Sequence, residues 1–169
     1  MRTASGRVNL RGSLSSWDPA MRLAMREAAK AARRGEVPVG SLLIVGDQIL
    51  GRGYNTREKG HDPTAHAEIH SIRRASKALK SWRLSGSTLV VTLEPCIQCV
   101  GAALLARVET VVFGCRDPKG GALGSVVDLR AVPGVNHRLK VIEGVLSAEC
   151  AGMLTGFFKE LRAKRSSER

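Results

Sequence analysis

Residues 87–99, "STLVVTLEPCIQC", run from an apolar stretch straight into a proline and a pair of cysteines. The apolar run is rich in β-branched residues and Pro95 halts it, so it reads as a buried strand. From Cys96 to Arg107 the pattern is helical, and "TVVFGC" (110–115) is apolar and β-branched again. Strand, helix and strand in this order make a βαβ unit, which commits the chain to an α/β architecture.

The flanking sequence supplies the remaining layers. Trp17 to Arg34 reads as an amphipathic helix: Ser16 or Asp18 can cap it, Pro19 suits its first turn, and Met21, Met25, Ala28 and Ala32 recur at helical spacing before Gly35. "PVGSLLIVGDQILGRGYN" holds two apolar runs joined at Gly46-Asp47, a hairpin of strands 38–45 and 48–54. A helix over about Ala65 to Leu79 precedes the βαβ unit. A Gly-rich stretch (118–125) and a loop around Pro133-Gly134 follow it, leading to a strand near 139–143. The last helix starts after Ser147, with Cys150, Met153, Leu154, Phe157 and Leu161 available for a buried face. The expected fold is a three-layer α/β/α domain around a five-stranded mixed sheet.

At 169 residues, without internal repeats, one domain is the natural reading. It spans 17–163, between a flexible basic N-terminal tail (1–16) and a polar C-terminal tail (164–169). Arg2, Arg7 and Arg11 among serines also suit a transit peptide; a short disordered tail is the expectation. With no run of some 18 apolar residues and no secretory block, the chain is expected to be soluble and cytoplasmic, with no membrane partner. The four cysteines are then reduced thiols, available as ligands or small core residues. A net charge of +12 favours a polyanionic partner, nucleic acid ahead of a membrane surface.

"HDPTAHAEIH" (61–70) concentrates the titratable chemistry. His66 and His70 lie four apart, but Glu68 is not directly after the first histidine, so the HExxH protease pattern fails. Cys96 and Cys99, at i and i+3, share one face of the helix that Pro95 opens, where the positive helix end favours thiolates. Alone they would leave thiol redox chemistry open. With His66 they give three zinc ligands and an open fourth position for water, whose pKa zinc brings toward about 7. His61 or His70 as a fourth ligand would instead close the site. Mid-helix, Glu68 would point about 200° away from His66; in a first helical turn both side chains can reach one site off the helix end. Glu68 then serves as a proton shuttle, or else it merely complements a helix N-terminus.

"HAE" (66–68) with "PCIQC" (95–99) matches the H-x-E…P-C-x-x-C signature of zinc nucleobase deaminases. In "EVPVG" (36–40), "HDPTAHAEI" (61–69), "TLEPC" (92–96), "VVFGCRDPKGGALGS" (111–125) and "NHR" (136–138) the chain resembles the bacterial tRNA adenosine deaminases of the cytidine deaminase-like superfamily, over about residues 17–160. That resemblance implies one zinc per subunit on His66, Cys96 and Cys99, and Glu68 as catalytic acid and base. It implies a base-contacting Asn55, pocket walls at Val39, Ala67 and Pro95, and RNA contacts at Asp117, Lys119, Asn136, His137 and Phe158. The implied reaction turns wobble adenosine into inosine and ammonia, with a tRNA anticodon stem-loop, an arginine tRNA by resemblance, as partner and a homodimer as the working form. Gln98 and Gly120-Gly121 depart from the family pattern, and the glycines are expected to loosen an RNA-facing loop. Asn55 can also be read as a turn former after a strand.

Two other functions remain open on the residues. A free-base or nucleoside deaminase shares zinc and Glu68 but should close its pocket with a terminal segment; the basic "KELRAKRSSER" offers no obvious apolar lid. A non-catalytic RNA-binding module with structural zinc requires a fourth protein ligand.

Overall fold

The two apolar runs that frame the cysteines are parallel neighbours: β3 (Ser87–Leu93) and β4 (Thr110–Cys115) pair with Val90 opposite Val112, and α4 (Ile97–Leu105) connects them. The computed structural model, which describes residues 17–167, adds α1 (Asp18–Arg33), β1 (Gly40–Val45), β2 (Gln48–Tyr54), α2 (Arg57–Gly60), α3 (Ala67–Leu79), β5 (Lys140–Ile142) and α5 (Ser147–Ser167). The strand order is β2-β1-β3-β4-β5, with β1 antiparallel to both its neighbours and β5 parallel to β4. This is the expected five-stranded mixed sheet.

Alternation along the strands sorts the core into two layers. Leu42, Ile44, Val90 and Val112 face α1 (Ala20, Met21, Ala24) and Cys150 of α5. Leu43, Leu89, Val91, Val111 and Phe113 face Ile72 and Ala75 of α3 and Val100 and Ala103 of α4. Gly53 lets α3 approach β2 closely, because a Cβ there would run into the Ala67 carbonyl. That close approach seats the first turn of α3, which carries the candidate site, against the sheet.

Several expected boundaries move. β1 begins at Gly40 rather than 38, since Pro38 has no N–H for a strand ladder. The short α2 was not foreseen; the buried Glu36 carboxylate accepts the Glu58 and Lys59 N–H groups at its start (3.1 and 2.8 Å). α5 runs to Ser167, through positions assigned to a C-terminal tail, with Lys164 and Arg165 suiting the negative end of the helix dipole. Of its expected buried face only Cys150 is buried, while Met153, Leu154, Phe157 and Leu161 are half-covered. The tail expected over 1–16 lies outside the described residues. No helix among the described residues is long and apolar enough to cross a membrane.

Candidate active site and metal centre

Two helix N-termini meet at the end of β3. His66 is the N-cap of α3 and Cys96 the N-cap of α4, each with extended backbone, and Cys99 lies in the first turn of α4. His66 Nδ1 is 3.6 Å from Cys96 Sγ and 3.5 Å from Cys99 Sγ. A tetrahedral ion with bonds of about 2.05 Å to nitrogen and 2.3 Å to sulfur puts those donors about 3.6 Å apart. The trio therefore suits a metal ion of zinc's size and preference, and it is the one such cluster among the described residues.

The protonation pattern agrees with ligation. Hydrogen bonds from Cys99 and His66 pull the Cys96 thiol down to about 4, making it a thiolate. Cys99 is pushed up by its bond to Cys96 and by burial, and His66 is raised chiefly by its bond to Cys96. The three donors share protons around one negative charge, and a bound cation would take the place of those protons.

His70 and His61 do not complete the set. The His70 Nε2 pairs with the Thr56 hydroxyl at 2.9 Å. His61 is an exposed, left-handed C-cap of α2. Neither histidine joins the trio, and the pocket opens beside His66 and Cys96.

Glu68 is buried in the first turn of α3, and burial pushes its carboxyl up to about 7. The 200° objection does not apply, because His66 has cap rather than helical geometry and the two side chains leave the helix end together. A pocket of about 160 Å³ opens beside them, lined by Val39, Asn55, His66, Ala67, Glu68, Cys96 and Asp117 from the expected set. Asn55 is buried at the end of β2, and its side-chain amide has no protein partner among the described residues, which leaves it free for a ligand.

Other expected residues lie elsewhere. Pro95 is buried and is not part of the pocket lining, its carbonyl taking the Ala122 N–H (2.8 Å). Lys119 is exposed, its backbone N–H bonded to Asp117 Oδ1 (3.0 Å). Asn136 accepts from Arg107 (2.7 Å) and His137 bonds the Val108 carbonyl (2.6 Å), which places both at the start of β4, the opposite end of that strand from the site. Phe158 is exposed on α5 and stacks edge-to-face on Phe157. Gln98 reaches the Thr64 carbonyl (3.0 Å), tying α4 to the loop before His66.

Sequence reasoning passed over Glu94, and also over Arg57, Val37 and Leu93 in the pocket wall. The Glu94 carboxylate is buried and accepts the backbone N–H groups of Asp117, Leu123 and Ser125 and the Ser125 hydroxyl. Burial alone would raise its pKa; the Ser125 hydroxyl and the three N–H groups hold it below the usual value. Gly121 sits against this carboxylate, where a Cβ has no room. The loop expected to be loosened by Gly120-Gly121 is instead fastened, because Gly121 admits the anchor. An acid at the end of an apolar strand, facing a Gly-rich stretch, was the available signal.

A His-Cys-Cys donor trio, a buried carboxyl beside it and an open pocket equip a protein for hydrolytic deamination, and the MafB19-like deaminase family model matches residues 15–162. Among curated relatives, the tRNA-specific adenosine deaminase of Bacillus subtilis (strain 168) is 50% identical over 149 residues, covering 88% of this chain and 92% of the relative. That of Haemophilus influenzae is 43% identical, covering 88% and 87%. A solved structure from work on A-to-I editing by tRNA:A34 deaminases at the wobble position superposes with a TM-score of 0.77 at 42% identity, covering 79% of this chain and 97% of that one. A guanine deaminase from Nitrosomonas europaea shares the fold at a TM-score of 0.74 and 21% identity, covering 88% of each chain. The chain belongs to the tRNA-specific adenosine deaminases within the MafB19-like deaminase family.

Proposed function

We infer that the chain deaminates adenosine to inosine at the wobble position of a tRNA anticodon, with water as the second reactant and ammonia as the second product. The convergence of Glu68 and Asn55 on the His66, Cys96 and Cys99 trio in an open pocket carries this reading. The likeness to tRNA-specific adenosine deaminases supports it. Among the described residues the pocket lining ends at Asp117, so α5 closes no lid over it, which favours a base on a polymer over a free base.

We propose zinc, one per subunit, on His66 Nδ1, Cys96 Sγ and Cys99 Sγ. When bound, zinc supplies the Lewis acidity that makes water a nucleophile at neutral pH. Glu68 takes one proton of the attacking water and delivers it to N1, then takes the second from the new C6 hydroxyl and gives it to the departing amine as the C6 carbonyl forms. A carboxyl raised to about 7 accepts and returns a proton at similar cost near neutrality. Val39 and Ala67 wall the flipped-out base, and the Asn55 amide bonds its polar edge.

The homodimer is proposed to form on α4, where Ile97, Gly101 and Leu105 recur at i, i+4 and i+8; Ile97 is 60% and Leu105 75% exposed. An arginine tRNA and a cytoplasmic location complete the proposal. The test is inosine formation and ammonia release, at fixed salt, on an anticodon stem-loop with wobble adenosine, free adenosine, adenine, guanine and cytosine. The stem-loop is expected to react far faster than any free compound. Equal or faster deamination of free guanine or cytosine would overturn the RNA reading.

A further inference from the structure

Between Ile69 and Leu93 the chain carries five basic residues, Arg73, Arg74, Lys77, Lys80 and Arg83, and no acid. All five are exposed. Arg73 and Lys77 stand at i and i+4 on one stripe of α3, Lys80 follows as its left-handed C-cap, and among the described residues none of the three forms an ion pair. Asp62, at the near end, feels Arg73 but is bonded to Thr64.

The stripe ends on an aromatic. Trp82 is 60% exposed, and the Arg83 guanidinium lies 5.1 Å from its ring centroid. The segment is fixed in place: the Ser81 hydroxyl accepts the Arg83 N–H and donates to the Arg83 carbonyl (both 3.1 Å), and buried Leu84 donates its N–H to Ala106 (2.7 Å). An indole held out into water on a basic surface has the chemistry of a stacking platform for nucleotides.

We propose that this ridge is a second RNA contact, along which the phosphates of the tRNA beyond the anticodon loop lie on Arg73, Lys77 and Lys80, while Trp82 packs against nucleotides at its far end. The proposal rests on the tRNA reading above. α3 begins at the pocket, with His66 as its cap, and a rise of 1.5 Å per residue puts Lys80 about 20 Å along the helix from that cap. An anticodon loop closed by only one or two base pairs is too short to run along that distance, whereas the stem and body of a complete tRNA are not. A narrow line of cations ending in an aromatic fits one sugar-phosphate strand better than the broad plane of a lipid surface.

The experiment uses the full-length, zinc-loaded enzyme with two substrates sharing one anticodon loop: a complete tRNA and a truncated stem-loop closed by only two base pairs. kcat and KM are measured between about 50 and 200 mM salt. Expected is a lower KM for the complete tRNA. The triple variant Arg73→Gln, Lys77→Gln, Lys80→Gln should raise that KM about ten-fold and reduce its log–log salt slope by about two to three. kcat and the stem-loop kinetics should stay unchanged. Trp82→Ala, which keeps every charge, should raise the tRNA KM without altering the slope. Equal KM for both RNAs, or equal effects of the variants on both, overturns the second contact while leaving the deaminase intact. Loss of binding to vesicles of anionic lipid, with tRNA kinetics untouched, assigns the ridge to a membrane and overturns it too. Deamination of neither RNA overturns the substrate reading and this proposal together.

Discussion

Glu94→Gln changes one side-chain heavy atom, yet it should destabilise the protein by about 3 kcal/mol. Oε1 accepts the Leu123 and Ser125 N–H groups (3.0 and 3.1 Å), and Oε2 accepts the Asp117 N–H (3.1 Å) and the Ser125 hydroxyl. An amide NH2 in the Oε1 position would meet two donors. In the Oε2 position it meets one, because the Ser125 hydroxyl can turn and accept. The better orientation still orphans the Asp117 N–H, at about 1–3 kcal/mol, and the two bonds left on the amide oxygen lose their ionic character, at about 0.5–1 kcal/mol each. Urea unfolding should show the difference directly, and thermal unfolding should show a fall in Tm of roughly 6–12 °C for a chain of this size.

The same variant carries a pH signature. Because folding depresses the Glu94 pKa below 4.5, its contribution is fully present above that value and is lost as pH falls through the folded-state pKa. The gap between parent and variant should therefore narrow in acid. A loss under about 1 kcal/mol at pH 7, or a gap that does not shrink in acid, would refute the view of Glu94 as the ionised anchor of the pocket wall.

Glu68→Gln should keep zinc and fold but lower kcat by about 10² to 10⁴, since an amide cannot cycle a proton; single-turnover inosine assays check this. Cys99→Ala and His66→Ala should lose zinc by elemental analysis, whereas His70→Ala should retain it; the reverse pattern would overturn the ligand assignment. Leu105→Asp should give monomers in sedimentation velocity if α4 is the dimer face, with the parent sedimenting as a dimer.

The sheet and its layers were legible because their signals are local. Pro95 ends a β-branched run, Gly46-Asp47 joins two apolar runs, and the spacing of Cys96 and Cys99 needs only one helical turn. α2 was not legible, because its start is fastened by Glu36, 22 residues away. Glu94 was missed for the same reason: its partners at 117–125 are brought to it by the β3-α4-β4 crossover, and a glycine reads as looseness until its neighbour is known. The reach of α5 to Ser167 was obscured by its polar sequence, which resembles a tail as much as an exposed helix.

The position of Glu68 two residues after His66 follows from placing His66 on a cap. A cap residue leaves the helix in extended conformation, so its side chain and those of the first turn converge on the space beyond the helix end, where free N–H groups already favour negative charge. α4 repeats the device with Cys96 on its cap and Cys99 one turn in. Two positive helix ends thus face one centre, favouring the thiolate form on one side and a buried carboxyl on the other. Burial opposes that carboxyl's ionisation, and the balance leaves Glu68 near 7, poised to accept a proton and return it. Moving Glu68 one residue later would turn it about 100° around α3, away from His66, Cys96 and Cys99, while leaving those three in place.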